Sequence, residues 1–248
     1  MIVKNDDLEK MNRELESFAY ISSHDLQEPL RKIQTFASRI MDREYDSLSE
    51  TGRSYFKRMQ DAALRMQTLI EDLLAYSRTT NEERKIERAD LNLVLDEIRE
   101  EFAEEIASRG ASIEAGELGS AMIIPFQFRQ LLHNLFVNSL KFARAGVPAK
   151  ITVTSETIWG DPTIHPKLLA THRYTHLRVS DNGIGFEPEY GEKIFEVFQR
   201  LHGRDKYSGT GIGLAIVKKI IDNHGGYISA SGQPGKGAAF DIYLPAGT

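Results

Sequence analysis

Residues 125–144 read "PFQFRQLLHNLFVNSLKFAR". Pro125 suits the first position of a helix, where its missing N–H would have no partner in any case. Asn134, Asn138 and Lys141 then fall at i, i+4 and i+7, within about 40° of one another on one face, while Leu131, Leu135 and Phe142 take other positions. Asparagine is a poor helix former, so two in register ask for a reason. An amide oxygen is a hard ligand suited to Mg²⁺, and a lysine one turn on can meet a phosphate as a point charge. Taken alone, a polar stripe on a solvated face would explain the same three residues.

Outward from this helix the pattern is mixed. A helix over roughly 91–108 and short strands near 112–114 and 121–124 precede it; strand-like runs "KITVTSE" (150–156) and "HLRVSD" (176–181) follow. A loop rich in glycine and charge spans about 183–210. It feeds a helix, "GIGLAIVKKIIDNH" (211–224), stopped by Gly225 and Gly226. Two last strands, "GYISASG" and "AAFDIYLP", join across "QPGKG". The expectation is an α+β domain, one sheet covered by helices.

Upstream the texture changes. Residues 5–78 hold one glycine, Gly52, and one proline, Pro29, with apolar residues at helical spacing. Leu8, Met11, Leu15 and Phe18 form one stripe, resumed by Leu26, Leu30, Ile33, Ala37 and Ile40. After "DREYDSLSETG", where Ser49 or Thr51 offers an N-cap, Phe56, Met59, Ala63, Met66, Ile70 and Leu73 alternate steps of three and four. This predicts an antiparallel helical hairpin. Its narrow seams suit a homodimer forming a four-helix bundle; packing onto the C-terminal half is the alternative. The charged stretch "SRTTNEERKIERADLN" reads as a linker, which divides the chain into residues 1–80, a linker over 81–90 and a domain over 91–248.

Composition narrows the function. The 248 residues carry a net charge of −5, with no basic excess to steer the chain onto nucleic acid or an anionic membrane. There is no cysteine, hence no disulfide or thiolate metal site, as fits a cytoplasmic protein. No apolar run approaches a membrane span, and no secretion signal opens the chain, so any sensor or anchor would lie outside it.

Three other stretches can carry chemistry. In "SSHDLQEPLRK" (22–32), His24 lies about 160° from Leu26 on a helix and so faces away from the apolar stripe. Asp25 beside it could take a proton from one imidazole nitrogen while the other attacks an electrophile, although an idle exposed pair would look the same. Pro29 withholds a donor from the Asp25 carbonyl, which should kink or loosen the helix near His24. In "SDNGIGF" (180–186), Asp181 ends an apolar strand and could accept a hydrogen bond from an exocyclic amine, with Gly183 and Gly185 letting backbone approach a flat ligand; an Asx-capped turn is the plain alternative. "SGTGIGLAIVKK" (208–219) is a glycine-rich turn opening a helix, an arrangement that holds phosphate.

In order and spacing these stretches resemble the motif boxes of the sensor histidine kinases of two-component systems. "SHDLQEPLRK" resembles the phosphoacceptor box, "NLFVNSLKFA" the N box, "DNGIGF" the first glycine box, "IFEVFQRL" the phenylalanine box and "GTGIGLAI" the second glycine box. The resemblance implies a dimeric helical-hairpin domain followed by an α/β sandwich of the type shared with gyrase and Hsp90-like chaperones. It implies that His24 takes the γ-phosphoryl group of ATP with Asp25 as its base, and that the group passes to an aspartate of a response-regulator receiver domain. It also implies Mg²⁺ at Asn138, phosphate contacts from Asn134 and Lys141, and adenine read by Asp181 between Gly183 and Gly185. Gly209, Thr210, Gly211, Ile212, Gly213 and Leu214 would shape the lid and phosphate-side turn, Phe195 and Phe198 would sit in the lid, and Lys193 and Arg200 would touch the triphosphate.

Three features depart from the family pattern, one of them small: the N box has Ser139 where Ala is usual. Glu28 stands four residues after the histidine, where many members carry Thr or Asn implicated in dephosphorylating the partner. A carboxylate there would repel a phosphoryl oxyanion, so strong phosphatase activity is not expected. The stretch "ETIWGDPTIHPKLLATHRYTH" is longer than a tight turn needs, and His165, His172 and His176 in it could form a metal site. A chaperone-like ATPase clamp on the same nucleotide fold would need a glutamate to activate water where Asn134 stands. A non-catalytic scaffold would not need phosphate, metal and acceptor residues together.

Overall fold

The computed structural model describes residues 26–78, 85–201 and 209–247. The chain divides into two compact units, Met1–Asn81 and Glu82–Thr248.

In the first unit, helix α1 covers residues 26–44 and α2 spans Glu50–Arg78. Ser49 caps α2: its hydroxyl accepts from the Gly52 N–H at 3.1 Å and its carbonyl from the Arg53 N–H at 2.9 Å. Arg53 also reaches back across the turn, donating from Nε to the Tyr45 carbonyl at 2.9 Å and laying its guanidinium 4.1 Å from the Tyr45 ring centre. Between the helices Leu30, Ala37 and Ala63 are buried, and Gln34–Gln67 and Gln60–Ser38 hydrogen bonds cross at 3.1 and 3.0 Å. The hairpin buries only part of its stripes, and apolar residues beside them stay exposed as well. Leu26 is 54% exposed, Phe36 59% and Leu64 58%, and Ile33, Met59, Met66 and Leu73 are exposed with them. Pro29 lies in a continuous stretch of helix. The kink expected near His24 falls outside the described residues, as do His24 and Asp25.

The second unit is built on a mixed sheet of order β2-β4-β5-β7-β6: Ser112–Ala115, Lys150–Trp159, Arg173–Asp181, Gly237–Pro245 and Tyr227–Gln233. The β2–β4 pair is parallel and the other pairs antiparallel. A separate two-stranded antiparallel sheet joins β1 (Glu87–Asp90) to β3 (Ser120–Ile123). Glu87–Asp90, read from the sequence as linker, is therefore paired chain; Asp90 at its end caps the next helix, accepting from the Asn92 N–H at 2.8 Å. The helix expected over 91–108 is two helices, α3 (Leu91–Glu101) and α4 (Ala103–Arg109). They break at Phe102, a buried ring set 5.2 Å from His133 and 6.2 Å from Phe136. Helix α5, Pro125–Lys141, packs against α3 and α6 (Gly213–Asn223). Phe128, Leu131, Leu135 and Phe136 from α5, Ile216 and Ile220 from α6, and Ile151, Val153, Val179 and Ile242 from the sheet make the core. Two short 3₁₀ turns, Pro188–Tyr190 and Lys193–Phe195, lie within the stretch read as loop.

The long β4–β5 connection closes on itself. Leu168 is fully buried against Tyr174 and Tyr243, with Ile158 and Tyr227 beside them, and the Gly160 N–H donates to the His172 carbonyl at 2.8 Å. His165 stacks on Tyr227, whereas His176 stacks on Tyr243 and bonds Asp241 and Glu156. The three histidines do not gather into a metal site; among the described residues no His, Cys, Asp or Glu group could hold an ion. Aromatic and carboxylate partners occupy His165 and His176, and His172 shares a hydrogen bond with the Thr171 hydroxyl at 3.0 Å. Nor is any described helix long and apolar enough to cross a membrane.

Candidate nucleotide site

Strand β5 places Asp181 by simple alternation. It pairs with Ile151 at the end of the β4–β5 ladder and falls on the same face as Leu177 and Val179, which are buried. The carboxylate is thus drawn toward the core, and that burial pushes its pKa upward. Three donors partly offset the cost: the Gly183 N–H at 2.8 Å and the Ala238 N–H at 3.3 Å to Oδ1, and the Ser139 hydroxyl at 3.3 Å to Oδ2. Ser139 belongs to α5, so the helix that carries Asn134, Asn138 and Lys141 also touches the carboxylate. Gly183 is buried against the Phe142 carbonyl, with no room for a Cβ there. Gly185 adopts φ of +64° where the chain passes over the Gln233 carbonyl.

The polar face of α5 carries the three residues singled out from the sequence. Asn134, Asn138 and Lys141 are each half-buried. The Asn134 amide donates to the Gln130 carbonyl at 2.9 Å, leaving its oxygen turned toward Gly213, where an added Cβ would stand 3.0 Å away. An added Cβ at Gly209 would collide with Lys141 Nζ. The second glycine box therefore presses directly on two of the three α5 residues, which its composition alone did not reveal. Asn138 makes no side-chain hydrogen bond among the described residues, and an amide oxygen is of the kind that suits a hard cation. Burial, and then the charge of Arg200, push the Lys141 pKa down. Two cations thus converge there, and a polyanion between them would relieve their repulsion.

The remaining expected residues divide. Thr210 accepts from the Ile212 N–H at 3.4 Å; Ile212 is fully buried, so only its backbone could face a ligand, and Leu214 is half-buried at the start of α6. The Gly211 carbonyl takes the Phe198 N–H at 3.0 Å, and Phe198 is exposed with φ of +67°. Phe195 is half-buried and meets the buried Phe240 edge-on at 6.5 Å. Lys193 is exposed, 5.8 Å from the Tyr190 ring, and no described bond ties it to α5.

Other contributors gave no signal in the sequence. Asn182 accepts from the Lys150 N–H at 2.9 Å and donates to the Pro148 carbonyl at 3.0 Å, bracing the turn after Asp181. His224, almost fully buried, accepts from the Ile124 N–H at 2.8 Å and donates from Nδ1 to the Ile220 carbonyl at 2.7 Å. It thereby clasps the start of α5 to the end of α6, and burial pushes its pKa down.

Residues 124–248 match the family described as histidine kinase-, DNA gyrase B- and HSP90-like ATPase, and residues 14–82 match the His Kinase A (phospho-acceptor) domain. The chain is 38% identical over 240 residues to the phytochrome-like protein Cph1 of Synechocystis, covering 97% of this chain and 30% of that protein. It thus spans less than a third of the length of such relatives. Full-length ShkA in complex with AMPPNP shares the fold with a TM-score of 0.65 at 24% identity, over 94% of this chain and 46% of that one. The histidine kinase ThkA in complex with response regulator protein TrrA does so with a TM-score of 0.61 at 22% identity, over 100% and 67%.

Proposed function

Since this chain belongs to the sensor histidine kinases, with both a phosphoacceptor and an ATPase domain of that family, we infer that it phosphorylates its own His24 from ATP and passes the phosphoryl group to an aspartate of a response-regulator receiver domain. The observation that carries this reading is the single site formed by α5, the Asp181 turn and the second glycine box. A desolvated carboxylate is bonded to α5 through Ser139, and α5 also carries Asn138, whose amide makes no side-chain hydrogen bond among the described residues, and Lys141, on which the charge of Arg200 acts.

In this reading Asp181 accepts from the adenine amino group, while Lys141 and Arg200 meet the phosphates and the backbone of residues 209–214 closes over them. Lys193 is a further candidate for the triphosphate. Asn138 would hold Mg²⁺, which when bound neutralises phosphate charge as the terminal group leaves. His24 attacks the γ-phosphorus in its neutral form; an N–P bond forms, the bond to the β,γ-bridging oxygen breaks, ADP departs and Asp25 receives the imidazole proton. Phosphoryl transfer asks chiefly for positioning, so carrying ATP to the acceptor is the main task. Residues 1–80 would act as the acceptor domain and 91–248 as the catalytic domain, with β1 included in the intervening segment.

The exposed apolar residues of α1 and α2 support a homodimer, in which a second copy would cover them. The complex of ThkA with TrrA supports a receiver domain as partner. An upstream sensor and a cytoplasmic location complete the proposal.

Labelling with γ-³²P ATP and Mg²⁺ tests it. Wild type should acquire acid-labile, base-stable label; His24→Ala should acquire none while still binding ATP. Label persisting in that variant would exclude His24 as acceptor.

A further inference from the structure

The geometry points to Arg144 as a positioning residue of the nucleotide site, holding the turn that carries Asp181 at a fixed offset from α5. It rests on the adenine-reading role given to Asp181 above. Arg144 follows the end of α5 by three residues. Its Nε donates to the Asn182 carbonyl at 2.7 Å and its Nη1 to the Gly235 carbonyl at 2.9 Å. The two acceptors lie on different turns, one leaving β5 and one joining β6 to β7. Those turns also bond each other, the Gly235 N–H donating to the Ile184 carbonyl at 2.7 Å, while the Ile184 N–H returns to the carbonyl of Phe142, the cap of α5, at 2.9 Å. One guanidinium therefore ties the segment after the phosphate-side helix to both walls beside Asp181.

An arginine is needed because two carbonyls on separate turns must be met by donors in one rigid plane, which the single ammonium of lysine does not offer. The ionisation of Asp181 is set by burial and by Gly183, Ala238 and Ser139, so Arg144 acts on where the carboxylate stands rather than on its charge. Adenine and guanine differ in offering an amine or a carbonyl at the position Asp181 would read. A carboxylate held in place selects between them, and one on a loosened turn must be ordered at the cost of binding free energy.

The test uses the whole chain and compares ATP with GTP in steady-state labelling. Arg144→Met should raise KM for ATP about tenfold with kcat within about twofold, and should shrink the preference for ATP over GTP. Arg144→Lys should recover only part of this. Arg109→Met removes a similar anchor, from Nη1 to the Leu140 carbonyl at 3.0 Å, without touching either turn, and should leave the preference intact. A preference unchanged in Arg144→Met would overturn the inference, as would equal losses in activity with both nucleotides that track a loss of folded protein. Asp181→Ala separates the two levels: if it too keeps the preference, the adenine-reading role falls; if it abolishes the preference while Arg144→Met does not, only the role of Arg144 falls.

Discussion

Asp181 and His224 show how one residue can be governed by what surrounds it. Both are drawn out of water, and burial shifts each toward its neutral form, raising the pKa of the acid and lowering that of the base. For His224 the neutral form is built into the network, because a proton on Nε2 would face the Ile124 N–H that now donates to it. The unfolded chain takes that proton near 6.5 and the folded one only at lower pH, so the contribution of His224 to stability is full above 6.5 and is lost as pH falls below it. His176 runs the other way. Its bond to Asp241 raises its pKa, so its contribution is full below 6.5 and is lost as pH rises through the higher folded value. Thermal unfolding across this range should therefore show His224→Gln, which keeps an acceptor without the titration, losing less stability than wild type below pH 6.5. His224→Ala, which orphans the Ile124 N–H, should cost about 2 kcal/mol at neutral pH. Identical pH dependence in wild type and His224→Gln would refute this assignment. His224, like Arg144, escaped the sequence for a plain reason: its partner Ile124 lies 100 positions away, and those of Arg144 lie 38 and 91.

Elements were more legible than their joints. The periodicity of residues 125–141 gave α5 with its polar face, and alternation in "HLRVSD" ran into a strand that begins three residues earlier, at Arg173. The break at Phe102 was not readable, because a single apolar residue in a helical pattern does not announce that its ring will leave the stripe to meet His133 and Phe136. Nor did the polar run ending in Asp90 announce β1, whose pairing with β3 is nonlocal. The two hairpin helices make the sharpest demand at this scale, since Phe36 and Leu64 stand exposed on elements whose spacing repeats as in a bundle. Sedimentation of the whole chain should give a dimer for wild type and a monomer for Phe36→Glu combined with Leu64→Lys. A monomeric wild type, or a doubly charged variant that still dimerises, would contradict the four-helix bundle.

For the molecule as a whole, motif order carried further than any single motif. Asn134, Asn138 and Lys141 could each have been read as polar residues facing water and Asp181 as a capped turn; the structure adds contacts invisible in the sequence: Ser139 to Asp181, Gly213 against Asn134, Gly209 against Lys141. Lys193 and Phe195 were less legible, because a short segment rich in charge and aromatics fixes no register, and Phe195 turned to Phe240. In the proposed reaction, ATP bound in the second unit supplies a phosphoryl group to the first. Mapping the phosphoryl group by mass spectrometry of peptides kept at alkaline pH tests this most directly. One modified peptide is expected, phosphorylated on His24 and formed only with ATP and Mg²⁺. ATP hydrolysed to free phosphate with the peptide unmodified, or a phosphoryl group on another residue, would contradict it.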